Sequence, residues 1–125
     1  MCLVTTASRQ DMTGVTGYKV LRRGTRGSYD GLYRQDPYEP ELGALHIADK
    51  EPYIDGHTDG LGDTVNHGIH TYGSRSGVVG CYIESSQYAV FEVELLGMGY
   101  QGWFGQLVAE AIVFTTGEPL EERPL

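Results

Sequence analysis

Apolar residues in this chain alternate with polar ones more often than they recur at helical spacing, and the alternation is cleanest in the second half. Over YAVFEVELLG (88–97), Ala89, Phe91, Val93 and Leu95 fall on one side and Glu92 and Glu94 on the other, the period of a half-buried strand. LVAEAIVFTT (107–116) predicts a second strand, in which Glu110 shares a face with Val108, Ile112 and Phe114. YKVLRR (18–23) predicts a third, with Tyr18 and Val20 on one side and Lys19 and Leu21 on the other. Shorter strands are expected at Cys2–Val4, over ALHIA (44–48) and over HGIHTY (67–72).

One segment departs from this period. In SRSGVVGCYIESS (74–86), Ser74 can cap a helix and Val78, Val79, Tyr82 and Ile83 follow helical spacing. Gly77 and Gly80 weaken that helix by about 1 kcal/mol each relative to alanine. Pro37 and Pro40 forbid a helix in DPYEPELG and suggest an extended surface loop. Asp49–Gly68 has four glycines and no period, and is expected to be a long irregular loop. MGYQGWFGQ reads as a glycine-rich connection, and GEPLEERPL as a polar, frayed tail. The element order predicts an α+β domain over 1–117, a bent and mostly antiparallel sheet with one main helix, followed by the tail 118–125.

At 125 residues the chain builds one core. A net charge of −8 argues against direct nucleic-acid binding, which needs a basic face. Surplus acid suits solubility, a basic protein partner, or imitation of nucleic-acid charge. No apolar run is long enough to cross a bilayer, and MCLVTTASRQDM does not read as a signal peptide, so a cytoplasmic protein without membrane contact is expected. Cys2 and Cys81 then read as reduced thiols, and Cys2 more as a small buried hydrophobe than as a nucleophile.

DGHTDGLGDTVNHGIHTYGS (55–74) holds three of the four histidines. Counted from Asp55 it superficially matches a calcium loop, glycine at the sixth place included. His57 in place of an oxygen ligand and Asn66 in place of the bidentate glutamate argue against calcium. His57, His67 and His70 with an aspartate suit a transition metal, but on a strand residues three apart face opposite ways. No metal is expected, and a solvated loop is favoured for 55–66. His67–Ser74 reads as a strand-to-helix junction, and there His70, Tyr72 and Ser74 are candidates for binding a ligand.

MCLVT, YKVL, YEPELG, GIHTY and the strand 88–96 together resemble a family of small, uncharacterised phage and bacterial proteins that begin Met-Cys-Leu-Ile/Val-Thr. The resemblance implies a phage-associated accessory protein in the cytoplasm of a bacterial host. GIHTYGSRSGVVGCY and YAVFEVELLG also resemble, over 68–97, the middle of an ADP-ribosyltransferase domain. That resemblance implies NAD as ligand, with Arg22 or Arg23 at the ribose, His70 or Tyr72 on nicotinamide, Ser74 at a phosphate and Glu110 as the catalytic carboxylate. Departures are that His70 stands where that family has tyrosine, and that Arg22 lacks the family's His-Gly or Arg-Gly context. Trp103 and Phe104 in QGWFG are core plugs or a ligand-covering, partner-facing loop.

The favoured expectation is a non-enzymatic protein that binds and inhibits or sequesters a host defence protein or a nucleotide-derived signal, with homo-oligomers left open. The alternatives are a mono-ADP-ribosyltransferase or NAD-cleaving enzyme and, further off, a metal-dependent enzyme built on residues 55–70.

Overall fold

A computed structural model describes residues 3–5, 9–23, 29–31, 37–38, 40–58, 62–74, 88–102 and 105–123. Its strands are β1 (Leu3–Thr5), β2 (Gln10–Asp11), β3 (Thr16–Arg23), β4 (Tyr29–Gly31), β5 (Pro37–Tyr38), β6 (Leu45–Ile47), β7 (Tyr53–Thr58), β8 (Gly62–Asn66), β9 (Ile69–Tyr72), β10 (Tyr88–Gln101), β11 (Gln106–Phe114) and β12 (Glu121–Arg123). All pairings are antiparallel.

The long strand β10 organises the molecule. One edge pairs β3 and then β2, the other pairs β12 and then β11. β11 carries β9 and β6 on its far edge, and β9 returns to β3 through the pair Tyr18–Tyr72. The ring β10–β11–β9–β3 is therefore a small closed barrel. Closure removes the open edges that a flat sheet of these strands would expose.

This corrects the expected fold class. The chain is almost entirely β rather than an α+β domain with a main helix, and no helix occurs among the described residues. Ser74 is an exposed bend after β9, and the rest of the expected helix, 75–86, lies outside the described residues.

Three loops expected from composition are also strands. Most of Asp49–Gly68 forms the β7–β8 hairpin, with β1 added to β8. Apolar alternation misses it because a hairpin is held by backbone pairing, and among its described residues the one fully buried apolar anchor is Val65. Met98–Gln101 continues β10. In the proline-rich stretch Pro37–Tyr38 pairs β4 and Tyr38 is buried in the core. In the tail, 121–123 pairs β10 and Leu120 N–H donates to the Val90 carbonyl.

Ala89, Phe91, Val93 and Leu95 are fully buried in the main core with Leu21, Ile69, Leu107, Ala109, Ile112 and Phe114. Rings meet edge-on there: Phe91 and Phe114 at 5.7 Å, Tyr38 and Phe114 at 6.5 Å. Val108 turns the other way, to Val65 and Tyr100 under the hairpin. Glu110 and Val108 thus do not share a face with Ile112 and Phe114. The inward parity of β11 changes across Glu110–Ala111, opposite a bulge in β10 between Leu96 and Gly99.

The β3–β9 seam is the thinnest part of the ring, with one residue pair. Lys19 closes it. It sits on the inward side of β3, is buried, and its ammonium donates to the His70 carbonyl at 2.9 Å. The same ammonium lies 5.3 Å from the centroid of the Tyr38 ring, a cation–π distance. Gly17 leaves room for Thr71 at this seam, since a Cβ there would stand 2.8 Å from the Thr71 hydroxyl oxygen.

Candidate functional site

The described residues among those chosen from sequence are spread over several strands. Tyr72 and Tyr18 face each other and pack on Val20 and Val90, on the outward side of β3 and β10. Arg22 is exposed four residues further along β3, between Tyr88 and Asp30, which puts its backbone about 13 Å from the Tyr18–Tyr72 pair at strand rise. His70 is half-buried beside Val108, and its carbonyl holds Lys19. Ser74 is exposed just past β9. Trp103, Phe104 and the side chain of Arg23 lie outside the described residues.

Glu110 serves the fold. Met98 N–H donates to its Oε2 at 2.6 Å, and its Oε1 lies 4.0 Å from the Arg9 guanidinium, which pairs with Glu51 at 3.0 Å. The carboxylate therefore caps the β10 bulge, while His70 sits on the opposite edge of β11. Gly97 makes the cap fit: its φ is +82°, and a side chain there would fall on the carboxylate. Glu110→Ala is expected to cost about 1–3 kcal/mol by stranding the Met98 N–H, and Glu110→Gln, which keeps an acceptor oxygen, clearly less. Urea unfolding of the two variants checks this, and equal midpoints would remove the capping role.

Among the described residues no group of three or more His, Cys, Asp and Glu is placed to hold a metal, and no helix is long and apolar enough to cross a membrane. The side chains of Asp55 and His57, and residues 59–61, lie outside the described residues. His67, at φ +61°, stacks on Tyr53 with centroids 5.1 Å apart. Comparison with family models, with curated proteins and with solved structures gives no match for this chain.

The feature that folding does not account for is β6. Ala44 and Ala48 pack on the core and His46 stacks on Tyr38, centroids 4.1 Å apart. The alternate positions, Leu45 and Ile47, are 55% and 65% exposed, and Leu42 in the preceding turn is 76% exposed. The strand is amphipathic in reverse, with its small and polar residues inward and its large aliphatic ones in water. A slip of one residue would exchange the two sets. The core cannot accept them: Ala44 and Ala48 fill the space over β11, and the register is pinned by bonds between Phe114 and Ala44 and between Ala48 and Glu110.

Those bonds also set which way the backbone faces. Antiparallel pairs alternate between bonded and non-bonded. Ala44, His46 and Ala48 bond toward β11, so the N–H and C=O of Leu45 and Ile47 point to the outer edge, where no strand pairs them among the described residues. Glu41 and Asp49 are exposed at its two ends. Glu118 is exposed next to Gly117, which packs on the backbone of the Glu41–Leu42 turn. Among the described residues Lys50 and Arg9 are the cations at the Asp49 end, and Arg9 pairs with Glu51. The sequence carried a sign of this site: in ALHIA the large residues alternate with alanine and histidine, so one set or the other must face water.

Proposed function

We propose that this chain works by binding a partner protein on the outward face of β6, as an accessory protein in the cytoplasm of a bacterial host. The observation that carries this reading is the reversed amphipathicity of β6, which leaves Leu42, Leu45 and Ile47 in water at no benefit to the fold. Large aliphatic side chains adjoining one another at a surface are a feature of interaction sites. The acidic balance of the chain supports a basic partner, and the resemblance to phage and bacterial proteins supports a bacterial one.

The test compares the wild-type chain with the triple variant Leu42→Ser, Leu45→Ser, Ile47→Ser in capture from a bacterial lysate. A single protein held at a fixed ratio by the wild type should be lost from the variant. The variant's unfolding midpoint should stay within about 0.5 kcal/mol, because exposed positions contribute little to stability. Equal recovery by the two chains would end this reading, and nicotinamide release from NAD by the wild type would return the enzyme alternative.

A further inference from the structure

Resting on the reading of β6 as a binding face, we propose that its occupant is an extended, basic and apolar segment of the partner, added to the barrel as a further strand. Three observations converge. The outward N–H and C=O groups of Leu45 and Ile47 form a row with the spacing of an unfilled β-ladder. Main-chain pairing along such a row supplies affinity without demanding one sequence. Leu45 and Ile47 project to the same side of the strand, so alternate residues of an added strand would cover them. The rim is acidic at the end where Glu41 and Glu118 are exposed, while at the other end Asp49 and Glu51 stand with Lys50 and Arg9 among the described residues, and the chain as a whole carries a net charge of −8. An added segment therefore gains most when its apolar residues alternate with lysine or arginine.

Charge also decides against a second copy of this chain. If two β6 edges paired around Leu45 and Ile47 by a two-fold axis, Glu41 of one would face Glu51 or Asp49 of the other. Like charges placed directly opposite destabilise a strand pair, and each chain carries a net charge of −8.

The geometry supplies a selective variant. At Ile47 the backbone nitrogen faces outward, so Ile47→Pro removes a donor of the open edge and leaves the bonds to β11 intact. Ile47→Val keeps that donor. The experiment titrates the full chain with the synthetic peptides (Lys-Val)4 and (Glu-Val)4, following calorimetry and amide hydrogen exchange. The expected result is that (Lys-Val)4 binds and slows exchange of the Leu45 and Ile47 amides at least tenfold, while (Glu-Val)4 binds at least tenfold more weakly. Ile47→Pro should weaken (Lys-Val)4 at least tenfold, and Ile47→Val less than threefold.

Absence of (Lys-Val)4 binding, equal binding of the two peptides, or unchanged exchange at Leu45 and Ile47 in the wild-type complex overturns strand addition; the exchange arm needs no variant to fold. Binding that survives Ile47→Pro and is lost in Ile47→Asp also overturns it while leaving β6 a binding face. A lysate partner held equally by the triple serine variant overturns the binding reading itself.

Discussion

Gly99→Ala should abolish the folded state or cost more than about 4 kcal/mol, the range reserved for a specific steric fault. Gly99 is buried on β10 opposite Ala109, just past the bulge. A Cβ at this position would fall on the carbonyl of Val108 and 2.9 Å from Met12 Cγ. Neither neighbour can yield cheaply. The carbonyl belongs to the β11 backbone and moves only if the β10–β11 ladder opens, and Met12 is 1% exposed, enclosed by the core. A cost of this size is a large part of the total stability of an ordinary domain. Gly105→Ala is the comparison. Unlike Gly99 it has a positive φ, +73°, but among the described residues nothing stands within 4 Å of its added methyl, so only the backbone cost of about 1–2 kcal/mol applies. Far-UV circular dichroism through a urea titration separates the two, and similar midpoints would show that the close approach at Gly99 is absent.

Phe114→Ala should cost about 3–5 kcal/mol, the usual loss for a buried aromatic ring. Phe114 is 1% exposed and receives Phe91 and Tyr38 edge-on, so the variant loses buried area and two ring contacts together. Val113→Ala, one residue away and only half-buried, should cost less than about 1.5 kcal/mol. The contrast tests the inward parity of β11 beyond the bulge. A second effect reaches the proposed binding edge. Tyr38 lies between Phe114 and His46, and His46 is the inward residue of β6. Emptying the Phe114 site should loosen that stack and speed amide exchange at His46, whose bonds tie β6 to β11. Unchanged exchange at His46 would uncouple β6 from the aromatic core.

Glu110 shows how composition and tertiary structure divide the information. A carboxylate among apolar residues on a strand reads equally as an active-site acid or as a fold-bearing group. Only the bulge in β10, and the Met98 N–H that it turns outward, distinguishes the two. The β7–β8 hairpin was hidden for a different reason. YIDGHT and GDTVN have little apolar alternation, because their pairing energy lies in the backbone and in the neighbouring strand, and neither is written in side-chain hydrophobicity. Arg22 and Tyr72 were linked in sequence only by resemblance, and the β3 ladder separates them along its length.

The sequence by itself located three strands, expected at 18–23, 88–97 and 107–116 and found as β3, β10 and β11, and the facing of 89–95, where core on one side and Glu92 and Glu94 on the other impose a period of two; on β11 it grouped Glu110 with Ile112 and Phe114, which the change of parity separates. It also determined the acidity on which the proposal of a basic partner rests. It did not determine the fold class. Closing those strands into a ring depends on pairings between residues far apart in the chain, such as Tyr18 with Tyr72 and Phe91 with Lys19, and on a bulge that bends β10. Which face of β6 meets water was decided only by tertiary structure as well. ALHIA offers two opposite faces, and the limited space above β11, with the bonds of Ala44 and Ala48, chose to bury the smaller one and leave Leu45 and Ile47 outside.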